Sequence, residues 1–302
     1  MSPLIFALPG NEDLGHRLAA LLGGRSGTLN TRQFPDGETY LRFCDDPAGQ
    51  DVVLVCTLDH PDSKILPLLF AAEAARDLGA CRVGLVAPYL GYLRQDMRFQ
   101  PGEAVTSHSF AKLLSHDFDW LVTVEPHLHR YKALSDIYSI PADALHAAPL
   151  IAEWVRNNIA KPHLIGPDIE SRQWVEAVAA ECGATWTVAR KTRLGDRKVH
   201  EDPLAGAIPE GATPVLLDDI ISSGATLLET LRLLRDFHGP TPIVIAIHAL
   251  WDADTKAQLA KTGVQLCTTN SVPNDAAQMD VTPLIAKGVE HFLVPGMGEP
   301  GT

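Results

Sequence analysis

The chain has 302 residues, a formal net charge of −12 and 46% hydrophobic residues, a length that favours two domains over a single core. The acidic balance excludes a general nucleic-acid binder, because affinity for polyanions comes mainly from basic surface. No stretch approaches the roughly 20 apolar residues that a membrane span needs.

Short apolar runs alternate with amphipathic segments along the chain. Strands are expected at 51–58, 82–89, 120–125, 163–167, 185–189, 214–217, 242–250 and 264–268. Helical patterns lie between them at 64–78, 107–114, 148–155, 171–180 and 227–237. This order is that of βαβ units and mainly parallel sheets. The segment Ala148-Pro-Leu-Ile-Ala152 recurs as Thr282-Pro-Leu-Ile-Ala286, with Val155 and Val289 at the matching later position. Such a repeat is what two tandem copies of one domain would leave, and the boundary falls at about residue 145, giving domains 1–145 and 146–302 with the last residues free to pack on the first domain. The amino terminus lacks the basic region of a signal peptide. Cysteines 44, 56, 81, 182 and 267 form no Cys-x-x-Cys pair, and a reduced, cytoplasmic compartment is expected.

Six segments carry candidate chemistry. Phe34-Pro-Asp-Gly-Glu38 is a turn behind an aromatic residue. Pro88-Tyr-Leu-Gly-Tyr-Leu-Arg-Gln-Asp-Met-Arg98 puts Arg94, Gln95 and Asp96 in a loop at a strand end, where Arg suits polyphosphate and the neighbours suit a base edge; a solvated polar loop is the plainer alternative. Thr123-Val-Glu-Pro-His-Leu-His129 sets His127 beside a carboxylate. Histidine there is as readily structural as metal-binding, and Mg²⁺ prefers oxygen. Gly166-Pro-Asp168 offers one carboxylate at another strand end, against a surface turn. Ala189-Arg-Lys-Thr-Arg-Leu-Gly-Asp-Arg-Lys198 is a basic loop, either exposed decoration or a neutraliser of a transferring phosphoryl group.

The most informative segment is Val215-Leu-Leu-Asp-Asp-Ile-Ile-Ser-Ser-Gly-Ala-Thr226. A buried strand runs into Asp218 and Asp219, and then into Ser222, Ser223, Gly224, Ala225 and Thr226 ahead of a helix. Small residues let backbone N–H groups approach an anion, and the helix dipole adds positive potential. Phosphate on the loop and hydroxyls on the carboxylates describe a phosphorylated sugar; an ordinary strand-to-helix turn is the alternative. Gly296-Met-Gly-Glu-Pro-Gly301 matches a dinucleotide pattern but has no helix after it, and reads as a tail.

Taken in order, these segments resemble the ribose-phosphate diphosphokinase (PRPP synthetase) family over nearly the whole chain. The resemblance rests on Phe34–Glu38, Pro88–Asp96, Thr123–His127, Lys191-Thr-Arg193 and Leu217–Thr226. It implies two tandem phosphoribosyltransferase-type α/β domains, each a mainly parallel sheet flanked by helices. It implies transfer of the β,γ-pyrophosphoryl group of ATP to the 1-hydroxyl of ribose 5-phosphate, releasing AMP, with Mg²⁺ as cofactor. Carried over by position, Lys191 and Arg193 are catalytic. Phe34, Asp36, Glu38, Arg94, Gln95 and Asp96 bind ATP, the first three in a homo-oligomer's neighbouring subunit. Asp218, Asp219 and the loop Ser222, Ser223, Gly224, Ala225, Thr226 bind ribose 5-phosphate, and His127 and Asp168 contact the metal. Three departures stand out: Glu125 where the family has Asp, Glu170 after Asp168, and the order Gly224-Ala225 in the phosphate loop. Two other readings remain open here, a non-catalytic associated subunit and a phosphoribosyltransferase that consumes PRPP.

Overall fold

The computed structural model describes residues 2–169, 171–189, 191–194, 198–201 and 204–293, without the side chains of 191–194, 198–201, 205 and 206. Two compact units emerge, one of residues 1–145 and 281–302 and one of residues 146–280. Glu170 and the tail motif at 296–301 lie outside the described residues.

The first unit holds β1 (Leu4–Ala7), β2 (Arg25–Gly27), β3 (Leu29–Gln33), β4 (Thr39–Phe43), β5 (Asp51–Val55), β6 (Arg82–Ala87), β7 (Trp120–Val124) and β8 (Ala142–Leu145). Six of these form a parallel sheet in the order β2-β1-β5-β6-β7-β8, while β3 and β4 pair as a separate hairpin. The second unit holds β9 (Pro162–Gly166), β10 (Thr185–Val188), β11 (Lys191–Leu194), β12 (Lys198–Glu201), β13 (Thr213–Ile221), β14 (Ile243–Ala249), β15 (Gln265–Thr269) and β16 (Ala277–Met279). Its sheet order is β10-β9-β13-β14-β15-β16, with β11 and β12 as the antiparallel extra pair. Raising every strand number of the first sheet by eight reproduces the second, so the duplication extends to the whole topology.

The helices are α1 (Glu12–Leu21), α2 (Ile65–Asp77), α3 (Thr106–Asp117), α4 (Ala148–Asn158), α5 (Arg172–Cys182), α6 (Ala225–Leu233), α7 (Ala253–Lys261) and α8 (Thr282–Leu293). The repeated pentapeptide opens α4 and α8. In α4 the positions Ile151, Ala152 and Val155 are buried, and in α8 their counterparts Ile285, Ala286 and Val289 are buried likewise. The repeat is therefore a packing face at helical spacing. Helix α4 packs on α5 and β16 in the second unit, and α8 packs on α1, β7 and β8 in the first. Each unit thus takes the helix that follows the other unit's sheet in sequence.

Strands β5, β6 and β7 are rich in Val and Leu and are buried on both faces along nearly their whole length, as central parallel strands require. Several expectations change. Strands β1 to β4 precede the first expected one; β1 is only Leu-Ile-Phe-Ala, too short for periodicity to mark. The basic segment from Lys191 is a two-stranded ribbon rather than a loop. Strand β13 also runs beyond the expected 214–217 to include Asp218 and Asp219. Among the described residues, no helix is long and apolar enough to cross a membrane.

Candidate functional site

In both sheets the strand order reverses once, between β1 and β5 and between β9 and β13. Open α/β sheets bind ligands at the carboxyl ends of the strands flanking such a reversal.

In the second unit the reversal is built as a cleft. Strand β13 pairs with β9 only as far as Leu216↔Ile165, but with β14 as far as Ile221↔Ala249. Its last residues therefore leave the edge facing β9 open. Asp218 and Asp219 stand on that stretch, and Asp168 follows the end of β9. The three form one electrostatic group. Burial pushes the Asp218 carboxyl up to about 8, and the charges of Asp219 and Asp168 push in the same direction. The backbone N–H of Asp219 donates to Asp218 Oδ1 at 3.0 Å.

Beyond the carboxylates, Asp218, Ile220 to Thr226 and Leu227 line a cavity of about 50 Å³, room for little more than a phosphate. Helix α6 starts at Ala225, so the first N–H groups of the helix have no intrahelical acceptor and face this cavity region. Gly224 has φ +66°, and a Cβ there would meet Thr255 Cγ2 at 3.0 Å. Glycine is needed at 224, while position 225 is ordinary helix and accepts alanine. The apparent inversion is thus the order this backbone requires. Lys191 and Arg193 lie on β11, opposite Glu201 and Val199 of β12; their side chains are outside the described residues.

The first unit carries the other candidates. Phe34, Asp36 and Glu38 form the tip of the β3–β4 hairpin. The Phe34 N–H donates to Glu38 O at 2.7 Å, and Gly37 takes φ +93° to close the turn. Asp36 Oδ1 accepts from the Glu38 N–H at 3.2 Å, so this carboxylate caps its own turn. Phe34 is exposed. Its ring meets Tyr40 edge-on at 6.3 Å, and the Arg32 guanidinium lies over both rings. Arg32 had no separate signal in the sequence.

Arg94, Gln95 and Asp96 lie after β6, and His127 after β7. Arg94 is exposed and Gln95 partly so, but Asp96 is buried. Arg130 donates to both of its carboxylate oxygens, at 2.8 and 3.0 Å. His127 stacks with His129 at 6.2 Å. The backbone is strained at this edge: His60, Tyr92 and Glu125, in the loops after β5, β6 and β7, are non-glycine residues at φ +49°, +60° and +38°. Such conformations cost about 1–3 kcal/mol each and gather at binding sites. Between β1 and β5, a cavity of about 270 Å³ is lined by Leu8, Pro9, Arg32, Cys56 and Lys64 among others. No carboxylate lines it, which sets it apart from the second unit's cleft.

Among the described residues no group of three or more His, Cys, Asp or Glu side chains is arranged to hold a metal. Asp168, Asp218 and Asp219 are oxygen donors of the type Mg²⁺ takes, and their mutual repulsion is of the kind a cation in the cleft would relieve.

Residues 3–117 match the family model described as the N-terminal domain of ribose phosphate pyrophosphokinase, and residues 133–283 match the phosphoribosyl transferase domain. The chain is 32% identical to a ribose-phosphate pyrophosphokinase of Methanopyrus kandleri over 292 residues, 96% of this chain and 99% of the relative. It is 32% identical to that of Methanothermobacter thermautotrophicus over 94% of this chain and 98% of the relative. For the Saccharolobus solfataricus protein of the same name the identity is 33%, over 85% and 90%. Among solved structures, phosphoribosylpyrophosphate synthetase from Mycobacterium smegmatis superposes with TM-score 0.82 over 97% of this chain and 99% of that one, at 22% identity. The fold is thus two tandem phosphoribosyltransferase-type domains with parallel sheets flanked by helices.

Proposed function

The chain belongs to the ribose-phosphate pyrophosphokinase family and is an enzyme, and from that premise we propose that it transfers the β,γ-pyrophosphoryl group of ATP to the 1-hydroxyl of ribose 5-phosphate, forming PRPP and AMP with Mg²⁺. The observation that carries this reading is the small cavity of residues 220–227, with Asp218 in its lining and Asp219 next to it in the chain. Loop N–H groups and the α6 dipole bind the 5-phosphate. The two carboxylates accept hydrogen bonds from ribose hydroxyls.

The Arg94-Gln95 turn holds the nucleotide, with Asp96 behind it. The hairpin tip of Phe34, Asp36 and Glu38 completes an adenine site in a neighbouring subunit of a homo-oligomer, which the exposed Phe34 ring supports. His127 and Asp168 are the candidate metal contacts. When bound, Mg²⁺ supplies charge neutralisation on the phosphate oxygens. Lys191 and Arg193 stabilise negative charge that develops on the transferring group, a process governed by positioning and electrostatics. The enzyme acts in the cytoplasm.

The test is AMP formation from ATP and ribose 5-phosphate with Mg²⁺, read against Lys191→Ala. Wild type is expected to turn over alone, and the variant to lose on the order of 10²–10³ in kcat with KM changed far less, because the lost contact is made mainly in the transition state. No wild-type turnover above the Lys191→Ala level would remove this reading.

A further inference from the structure

Asp96 sits among residues expected to touch nucleotide, yet its side chain is only 1% exposed and both of its oxygens are taken by Arg130. The same loop is held at other points. Tyr131 Oη donates to Asp96 O at 3.1 Å and shares a 2.8 Å hydrogen bond with Ser107 Oγ. The Ser107 N–H donates to Gln95 O at 3.4 Å. The Arg130 guanidinium also lies over the Phe99 ring, 5.4 Å from its centroid. Glu103 accepts from the N–H groups of Phe99 and Gln100 at 2.7 and 3.0 Å. Arg130 therefore grips the loop after β6 twice, through a buried carboxylate and through an aromatic face. It does so from the loop after β7, three residues beyond His127.

Both loops need such a grip. Each contains a non-glycine residue in the left-handed region, Tyr92 in one and Glu125 in the other, and strained backbone persists only where its surroundings over-determine it. Arginine suits the task because one terminal nitrogen, Nη1, reaches both carboxylate oxygens while the planar face stays free for a ring. The carboxylate in turn is too well buried and too fully engaged to be a primary nucleotide contact.

We propose that Arg130 is a positioning residue, which by clamping buried Asp96 and the Phe99 ring holds the Arg94-Gln95 turn in register with the His127 loop for nucleotide binding. The proposal rests on the function given above and assigns the nucleotide contact to Arg94 and Gln95, with Asp96 as the anchor behind them. Nothing in the lone sequence marks Arg130, since an arginine after His-x-His reads as surface charge.

The test compares Arg130→Met, Arg130→Lys, and the double variant Asp96→Asn/Arg130→Met in the full-length protein. Arg130→Met is expected to raise KM for ATP tenfold or more, with KM for ribose 5-phosphate within twofold of wild type. Arg130→Lys recovers part of that loss, because one ammonium replaces the charge on Asp96 but not the planar face over Phe99. The double variant is expected to bind ATP no worse than Arg130→Met, since both remove one clamp and their effects are non-additive. It also leaves no unpaired buried carboxylate, so it keeps the comparison usable where Arg130→Met fails to fold. Calorimetric ATP binding reads the clamp even in a chain that turned nothing over, which separates failure of this proposal from failure of the function. ATP affinity and KM within twofold of wild type in a folded Arg130→Met or double variant, with only the Tm lowered, would overturn it.

Discussion

Asp218 gives its environment away through its proton. The carboxyl is pushed up to about 8, first by burial, then by Asp219 and Asp168. Its folded value lies above the unfolded one, so the native protein holds a proton that the unfolded chain releases. The associated stability is full below the unfolded value near 4 and is lost as pH rises through about 8. Asp218→Asn carries no charge to repel. The gap between its Tm and that of the wild type should widen from about pH 4 to about pH 8 and then stay level. A gain on the order of 2 kcal/mol, roughly 4–8 °C, is expected at pH 8.5 after allowance for cleft water and the coupling among the carboxylates. PRPP formation should fall by about 10²-fold in the same variant, since an acceptor for a ribose hydroxyl is gone. Scanning calorimetry at pH 4.5 and 8.5 checks the first half; equal Tm differences at both values would remove the electrostatic account. A site that costs stability until substrate and cation arrive is what function-bearing charge clusters are expected to show.

At the scale of the element, the proposed phosphate site depends on the turn from β13 into α6. Gly224 takes φ +66° with Thr255 Cγ2 directly in the way of a Cβ. Gly224→Ala should therefore cost about 1–2 kcal/mol and raise KM for ribose 5-phosphate at least tenfold as the loop N–H groups turn away. Ala225→Gly, at the first helical position, should cost less than 1 kcal/mol and leave that KM within threefold. Initial-rate kinetics at saturating ATP separate the two, and equal KM values for both variants would refute the geometric reading. Much of this element was legible in advance: the apolar run announces the strand, and the small residues announce the turn into a helix. Its backbone handedness was not, because the demand for glycine at 224 comes from Thr255 on α7, far along the chain. The hairpin before β5 was harder still. Its strands are short and half-exposed, with only Leu29, Leu41 and Phe43 packed against the core, so the period-two signal is weak, and only the Pro-Asp-Gly turn betrayed it. Arg130 was invisible for a similar reason, since its partner Asp96 is 34 residues away.

At the scale of the whole molecule, the five-residue repeat pointed to a duplication that the two sheets display strand for strand. A linear reading leaves open which sheet each repeated helix covers, and left the last residues free to pack on the first domain. Helix α8 buries Ile285, Ala286 and Val289 in the first unit, against α1, β7 and β8. Full burial of one such aliphatic side chain contributes about 1.5–3 kcal/mol, and net domain stability is only about 5–15 kcal/mol. Losing this helix should be decisive for the first unit. The second unit is continuous and carries its own core from Ile165 to Leu259. A fragment of residues 146–280 is therefore expected to fold alone, with a cooperative thermal transition by circular dichroism. A fragment of residues 1–145 should show no such transition, because Trp120 loses its stacking partner Phe292, 5.0 Å away, and the apolar face of α1 is bared. Appending residues 281–293 to that fragment through a flexible linker should restore the transition. Were residues 1–145 to melt cooperatively without them, α8 would be an accessory to the first unit, and the repeated pentapeptide would owe its recurrence to descent alone.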